Sequence, residues 1–271
     1  MRRDRWRRLM PYMLAALALI LLAVFVPLIV PHDPYAQDLS AALMPPDASH
    51  ILGTDRYGRD VFSRVLMGAQ TTLLSTLALV AAVAVFGSVL GASAGFFGGW
   101  LDTALMRISD VFLAFPALVF AVAAAGALGG GLFHAALALA AVGWPKYARI
   151  ARSLTLSIRT AAYMAAAQMA GTGRTLMLVR HVLPNIGGPI LVTAALDIGT
   201  VAMELAGLSF LGLGAAPPTA EWGAMMANGR SMLQTAPLVI LAPGAALFLS
   251  VAIFNLLGDK LRDVLDTRRQ G

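Results

Sequence analysis

The sequence contains no cysteine and little charge. With no Cys among its 271 residues, the chain has no means of building a disulfide framework, a thiolate-held iron–sulfur cluster, a thiolate zinc site or a cysteine nucleophile. Charged residues make up 13% of the chain and hydrophobic residues 59%, whereas an ordinary soluble domain is about a quarter charged. This composition excludes both an ordinary soluble enzyme and a disordered chain.

Motifs of catalytic and metal sites are missing as well. The sequence has no G-x-x-x-x-G-K-[ST] and no H-E-x-x-H, so neither a phosphate-binding loop nor a zinc protease site is expected. The four histidines (His32, His50, His134 and His181) share no metal-ligand spacing. Residues 91–95 match G-x-S-x-G, but that motif requires a strand–turn–helix setting, and here it lies in an apolar run. We therefore predict no catalytic residue and no metal ligand.

Long apolar runs dominate what is present. Leu9–Pro31 lacks charge and histidine, and a helix of that length rises about 34 Å, enough to cross a hydrocarbon core of about 30 Å. Because the run is too long for a signal peptide and other runs follow, we predict an uncleaved transmembrane helix. Five more transmembrane helices are predicted. One lies at 70–95, one on each side of the glycines at 126–131, one at 186–212 and one at 231–258.

The basic residues orient the predicted bundle. The chain has 20 Lys and Arg against 14 Asp and Glu, a net charge of +6. With both termini cytoplasmic, only Arg56, Arg59, Arg64 and Arg230 fall outside, as the positive-inside rule requires. The excess of basic residues is therefore explained by membrane orientation, without binding to nucleic acid. The predicted cytoplasmic set is Arg2, Arg3, Arg5, Arg7, Arg8, Arg107, Lys146, Arg149, Arg152, Arg159, Arg174, Arg180, Lys260, Arg262, Arg268 and Arg269.

The predicted architecture is an all-α, polytopic membrane protein with six transmembrane helices. Its parts are a cytoplasmic tail (1–10), helix 1 (11–30), an extracytoplasmic outer segment (31–68), a five-helix core (69–258) and a cytoplasmic tail (259–271). Within the core, a polar coupling segment (146–185) is predicted to hold a surface helix near 161–170, a glycine break at 171–173 and a helix ending at Pro184. This segment either transmits motion from a soluble partner or merely connects two spans.

Two patterns lie inside the apolar runs. Asp197 and Glu204 are nearly two helical turns apart and should share one face. Carboxylates in hydrocarbon are costly unless they face a cavity or a partner, so the two either line a path for a cationic substrate or are paired locally. Glycines recur every fourth residue at Gly87, Gly91, Gly95 and Gly99, which predicts close approach of a neighbouring backbone.

The stretch from His50 to Arg64, H-I-L-G-T-D-R-Y-G-R-D-V-F-S-R, resembles the outer-segment signature of one family. That family comprises the C-type permease subunits of dipeptide, oligopeptide and nickel ATP-binding-cassette importers. Similar blocks follow in order at residues 95–107, 208–214 and 254–263. The resemblance implies a type I importer permease fold, a multi-pass location in a bacterial inner membrane, and no enzymatic activity of the chain itself.

The coupling segment resembles the ATPase-coupling loop of this family, E-A-A-x3-G-x9-I-x-L-P. An alanine at position 165 replaces the glutamate of that pattern, which removes a charged contact but leaves docking by shape and apolar burial possible. The resemblance assigns the coupling role to Ala165, Ala166, Ala167, Gly171, His181, Leu183 and Pro184.

The substrate and the partners are also implied by resemblance. Residues 196–199, 206–207 and 218–223 look closest to the nickel importer, so the predicted function is a translocation path for nickel ion or a nickel chelate. The alternatives are dipeptides or oligopeptides in the same importer class, and an ion-coupled secondary transporter using Asp197 and Glu204. The implied partners are a related permease forming a heterodimer, two cytoplasmic ATPases that hold ATP and Mg, and an extracytoplasmic solute-binding protein. This chain itself is expected to bind no cofactor.

Overall fold

The computed structural model describes residues 2–265, and the side chains of residues 2–6 and 8 lie outside the described part. Arg268, Arg269 and the rest of the predicted tail beyond residue 265 lie outside it too. Regular structure in the described range is helical, with one isolated bridge between Thr54 and Asp60, which confirms the all-α prediction. The helices are α1 (Arg2–Ile29), α2 (Val61–Phe97), α3 (Gly99–Leu113), α4 (Ala117–Ala127), α5 (Leu132–Arg159), α6 (Ala162–Met169), α7 (Arg174–Met177), α8 (Leu183–Phe210), α9 (Trp222–Gly229) and α10 (Leu238–Leu265).

Four helical stretches are long and apolar enough to cross a membrane. Helices α3 and α4 add a fifth if they count as one span, although they meet at 89°. Helix α5 is not among them, and it carries Lys146, Arg149 and Arg152. The described residues therefore support four or five crossings by composition, and the six crossings with cytoplasmic termini stay predictions. The four stretches are Leu9–Ile29, Val61–Phe97, Arg174–Phe210 and Leu238–Leu265.

Helices α2 and α5 pack through the glycine stripe. A Cβ on Gly91 would lie 2.0 Å from the carbonyl oxygen of Ala148, and one on Gly87 would lie 2.5 Å from that of Trp144. Only glycine permits so close an approach, so the predicted stripe is confirmed at positions 87, 91 and 95. Gly99 does not belong to it, because α2 ends at Phe97 and a Cβ on Gly99 would meet nothing within 4 Å.

The third predicted span is a bent pair of helices. Gly129, Gly130 and Gly131 all have positive φ, and they separate α4 from α5 where the sequence predicts a break. A second, unpredicted break lies before Pro116, because the residue preceding a proline disfavours the helical conformation. Helix α4 has only 11 residues, about 16 Å, so by itself it is too short to cross a core of about 30 Å.

Helices extend into two of the predicted polar segments. Helix α2 begins at Val61, so residues 61–68 of the predicted outer segment are helical. Asp60 caps this helix by accepting a bond from the Ser63 backbone N–H at 2.7 Å. At the other end, α10 continues through residues 259–265 of the predicted tail.

Candidate functional site

Helix α6, the surface helix of the coupling segment, is almost entirely exposed. Met164 is its only buried side chain, and it packs in an apolar cluster with Phe96, Met177 and Val182. Ala165 and Ala166 are exposed and Ala167 is half-buried. The three alanines predicted to meet an ATPase thus lie on a helix that a single side chain fastens to the bundle.

A glycine turn ends α6. Gly171 has φ +80 and its N–H donates to the Gln168 carbonyl at 3.0 Å, while the Thr172 N–H donates to the Ala167 carbonyl at 3.1 Å. Positive φ favours glycine because side chains with a Cβ are strained there. The predicted glycine therefore lies at the turn itself, exposed and free of contacts that would hinder movement.

The sequence predicts that the helix after this turn ends at Pro184. In the structure it does not end there. Residues 174–210 form one continuous helical stretch, with a π turn at Leu178–Val182 in which the Leu183 N–H bonds to the Leu178 carbonyl. Pro184 lies in the first turn of α8. A proline lacks the N–H and crowds the carbonyl one turn back, and the wider π turn accommodates both effects. His181 and Leu183 are half-buried and Pro184 is exposed.

Ion pairs fasten α3 to the part of α5 that belongs to the coupling segment. Arg152 donates to both carboxylate oxygens of Asp102, at 2.5 and 2.6 Å. Arg149 pairs with Asp110, about two turns further along α3. Bidentate arginine–carboxylate pairs are the more directional kind of ion pair, so α3 is expected to move together with the end of α5.

The two intramembrane carboxylates differ in their surroundings. Asp197 accepts bonds from the Lys146 Nζ at 2.5 Å and from the Tyr147 hydroxyl at 2.9 Å, both on α5. Glu204 is half-buried, and among residues 2–265 its carboxylate has no hydrogen-bond or ion-pair partner, although Asp197 and Lys146 are close enough to influence it electrostatically. Asp197 is thus locally compensated, and Glu204 is the carboxylate with free oxygen atoms.

A large apolar groove lies on another side of α8. It encloses about 720 Å³ between α1, α2, α8 and α10, and among the described residues that line it only Ser88 has a polar side chain. Without a charged group, the groove has no chemistry for a cation. The charged side chains of α8 that could contact a cation therefore lie on the side of α8 that faces α5.

The outer segment is held by a buried polar network that sequence reasoning missed. Asp55 accepts from the Arg59 side chain at 2.6 and 2.7 Å and from the Tyr57 N–H at 2.8 Å. Arg64 lies 3.6 Å from the same carboxylate and donates to the Pro34 carbonyl at 2.8 Å. All three charged side chains are buried. The motif resemblance pointed to these residues, but only the fold shows that they form one network.

Glu221 is another buried acid in this half of the molecule. It caps α9 by accepting from the N–H groups of Gly223 and Ala224 at 2.9 and 2.8 Å, and it also accepts from the Thr72 hydroxyl at 3.3 Å. Its side chain is 0% exposed, and burial raises its pKa above the ordinary value. The Trp222 indole N–H donates to the Val65 carbonyl at 2.9 Å, so α9 is fixed against α2.

The outer segment also brings together three side chains that the sequence did not connect. His32, His50 and Asp60 offer ligand atoms within 4.8 Å of one another. Their sequence separations are irregular, so no spacing rule could have found them.

Comparison with known proteins agrees with this architecture. The family model of the binding-protein-dependent transport system inner membrane component matches residues 87–271. The probable D,D-dipeptide transport system permease protein DdpC of Escherichia coli (strain K12) is 46% identical over 253 residues, which cover 93% of this chain and 85% of that protein. The nickel transport system permease protein NikC of the same organism is 44% identical over 264 residues, 97% of this chain and 95% of NikC.

The fold is also found in a solved structure. A chain from inward-facing conformations of the MetNI methionine ABC transporter matches with a TM-score of 0.51 and 21% identity, covering 71% of this chain and 94% of that chain. This likeness supports an ABC-importer permease fold. The alternative of an ion-coupled secondary transporter has no support in these comparisons. The chain therefore belongs to the family of binding-protein-dependent transport system inner membrane components, and it is a permease of an ABC importer in a bacterial inner membrane.

Proposed function

We propose that this permease forms part of the translocation path for nickel ion or a nickel chelate. The observation that carries the proposal is the similarity to NikC, which extends over 95% of that protein. The charges along α8 add physical support, because a half-buried carboxylate without a partner attracts a divalent cation. We assign this role to Glu204.

Asp197 has a different role in the proposal. Its bonds to Lys146 and Tyr147 keep the lysine ammonium on Asp197 and compensate its charge. If Asp197 loses its charge, the lysine is released and its positive charge repels a cation in the path. Asp197 is thus a positioning residue, and Glu204 is the residue proposed to contact the cargo.

The energy source is proposed to lie in partner subunits. Two cytoplasmic ATPases hold ATP and Mg, and they contact Ala165, Ala166 and Ala167 on the exposed face of α6. The turn at Gly171 and the helix from His181 through Leu183 and Pro184 then pass movement to α8. A related permease completes a heterodimer, and a solute-binding protein delivers cargo from outside. The exposure of α6 and the family's dependence on binding proteins support this assembly.

A second candidate cargo is a dipeptide. The 46% identity to DdpC favours it, and a peptide ammonium group would also be attracted to Glu204. The two candidates therefore share one path and differ only in cargo.

Uptake measurements in cells separate these candidates. Radioactive nickel and a labelled D,D-dipeptide are supplied to cells in which this chain is deleted and then restored from a plasmid. We expect nickel uptake alone to be lost and then recovered. Loss of dipeptide uptake alone would overturn the nickel proposal and leave the permease assignment in place.

The carboxylates are tested by isosteric substitution. Glu204→Gln should lower nickel uptake at limiting nickel at least several-fold, because the amide keeps the volume and loses the charge. Asp197→Asn should lower it further, since it frees Lys146. Met203→Leu, on an exposed neighbour of Glu204, is the matched control and should transport normally. Unchanged uptake kinetics in both carboxylate variants would show that the two carboxylates have a packing role and do not affect the cargo.

The coupling assignment is tested at the glycine turn. Proline requires φ near −65°, so Gly171→Pro is incompatible with φ +80 and should abolish transport without preventing membrane insertion. Gly173 has φ −61, so Gly173→Pro is the matched control and should retain transport. Normal substrate-stimulated ATPase activity in the Gly171→Pro complex would contradict the coupling role.

A further inference from the structure

A cluster of two imidazoles and one carboxylate lies where α2 begins. The Nδ1 atom of His50 is 2.9 Å from the Oδ1 atom of Asp60, and the Nδ1 atom of His32 is 3.8 Å from its Oδ2 atom. The two imidazole rings are 5.2 Å apart between centroids. Asp60 is 3% exposed, His50 21% and His32 45%, so the cluster opens to solvent on the His32 side.

We propose that His32, His50 and Asp60 bind one divalent late first-row transition-metal ion, of the class of Ni²⁺ or Zn²⁺, in the outer segment. Two imidazole nitrogens and one carboxylate suit these ions and do not suit Mg²⁺ or Ca²⁺, which prefer oxygen ligands. The ion replaces the hydrogen bond between His50 and Asp60, and a proton on the His50 Nδ1 atom leaves to water when the metal binds. Water completes the coordination on the open side.

The spacing of the ligand atoms fits such an ion. Metal–ligand bonds of about 2.0–2.1 Å place two ligand atoms at right angles about 2.9 Å apart, which is the separation between His50 Nδ1 and Asp60 Oδ1. The His32 Nδ1 atom lies 3.8 Å from the other oxygen of Asp60, and the ligand atoms of all three residues lie within 4.8 Å of one another, so the His32 side chain moves toward the ion when it binds. Because His32 is the most exposed of the three, this movement meets little packing resistance.

The surrounding bonds hold the Asp60 carboxylate and the backbones of His32 and His50 in place. Asp60 accepts from the Ser63 N–H through Oδ2, which leaves Oδ1 for the metal. The Ser63 hydroxyl in turn accepts from the His32 backbone N–H at 3.1 Å. The His50 backbone N–H donates to Asp47 at 2.6 Å. Supporting bonds of this kind orient metal ligands and raise affinity.

The neighbouring positive charges are compensated. Arg59 donates to Asp55, and Arg64 lies near the same carboxylate while donating to a backbone carbonyl. Neither guanidinium bonds to Asp60, so neither occupies the proposed site. Helix α2 is 37 residues long, about 54 Å, so the cluster lies at the opposite end of α2 from Phe96 and Met164.

The test measures binding to the purified full chain in lipid nanodiscs, carrying a streptavidin-binding tag because a polyhistidine tag would bind metal. Equilibrium dialysis with radioactive Ni²⁺ should show one saturable site per chain, displaced by Zn²⁺ and not by Mg²⁺. His32→Gln, His50→Gln and Asp60→Asn should each weaken binding at least tenfold. Asn remains a good helix cap, so the Asp60→Asn chain should still fold. His134→Gln, a histidine outside the cluster, is the matched control and should bind as wild type.

Thermal melting separates binding from folding. Ni²⁺ should raise the melting temperature of the wild type and of the control, because an ion that binds only the folded state stabilises it. The three cluster variants should melt at the same temperature with and without the ion. Absence of a saturable site in the wild type, or unchanged Ni²⁺ affinity in His32→Gln and His50→Gln, would overturn the inference.

The result does not depend on the cargo. If the uptake experiment assigns dipeptides to this importer, saturable Ni²⁺ binding at the cluster still supports the metal site. If nickel is the cargo and the cluster variants bind normally, the metal site fails while the proposed function stands.

Discussion

The outer segment is held by buried, mutually compensating polar groups, whereas helix α6 of the coupling segment is held by apolar contacts and one turn. Asp55, Arg59 and Arg64 are at most 6% exposed, and their bonds fix the backbone around them. Helix α6 has one buried residue, Met164, and a glycine turn with open space around it. The difference indicates that the outer segment is built to keep its shape, and that the coupling segment is built to present a surface and move.

The largest effect is expected at the centre of the outer network. Asp55→Ala removes the carboxylate and leaves Arg59 buried without its partner, which should cost about 3–5 kcal/mol of the free energy of unfolding. The melting temperature of the purified chain measures this loss. Asp33→Ala removes an exposed carboxylate that accepts a bond from the Tyr35 N–H and should have a much smaller effect. Equal melting temperatures for the two variants would contradict the rigidity of the network.

A pH-dependent effect is expected at Glu221. Burial raises its pKa, so the folded state holds the proton more tightly than the unfolded state, and stability falls as pH rises through the folded-state pKa. Glu221→Gln removes this titration. In a pH series, the melting temperature of the wild type should therefore fall relative to that of the glutamine variant as pH increases. A constant difference between variant and wild type across the series would show that the group does not titrate differently on folding.

A smaller effect is expected at the anchor of α6. Met164→Ala removes the side chain that packs against Phe96 and Val182, and it should cost about 2 kcal/mol, the low end for a buried methionine, because α6 can detach and leave little cavity. Proteolysis at α6 should become faster while the outer segment stays protected. Met169→Ala, at an 89% exposed position of the same helix, is the control.

The smallest stability effect is expected at Ala165. Ala165→Glu restores the acid of the family pattern on an exposed position, so stability should change by no more than about 0.5 kcal/mol. Transport should be at least as fast as in the wild type if a charged contact with the ATPase is still available. A large loss of stability would show that α6 is packed more tightly than its exposure indicates.

Much of the fold could be predicted because membrane helices leave strong local signals. The four-residue glycine spacing predicted close approach of a neighbouring backbone, which α5 makes at Gly91, and the glycines at 129–131 predicted a tight turn between two helices. Gly99 was assigned wrongly, because spacing alone does not reveal that α2 ends before it. The bend before Pro116 was missed, although the proline itself could have signalled it.

The site was less predictable because its contacts join distant parts of the chain. Asp197 was recognised as unusual from its setting, but its bond to Lys146 depends on how α5 and α8 pack. The same holds for His32 and Asp60, which a loop brings together. The buried role of Glu221 also had no local sequence signal, since the sequence looks like an ordinary polar turn.

The π turn at Leu178–Val182 sets the direction in which the side chains of the preceding helices, α6 and α7, point. An α-helix rotates by about 100° per residue, and a π turn takes up one residue more than an α turn. That extra residue lets Met177, Val182 and Ile186 point into the same cluster. A chain one residue shorter here would turn α7, and with it the outward face of α6, about a quarter of a circle away from its present direction. The number of residues in this turn, independent of their chemistry, therefore decides which side of α6 a docking partner meets.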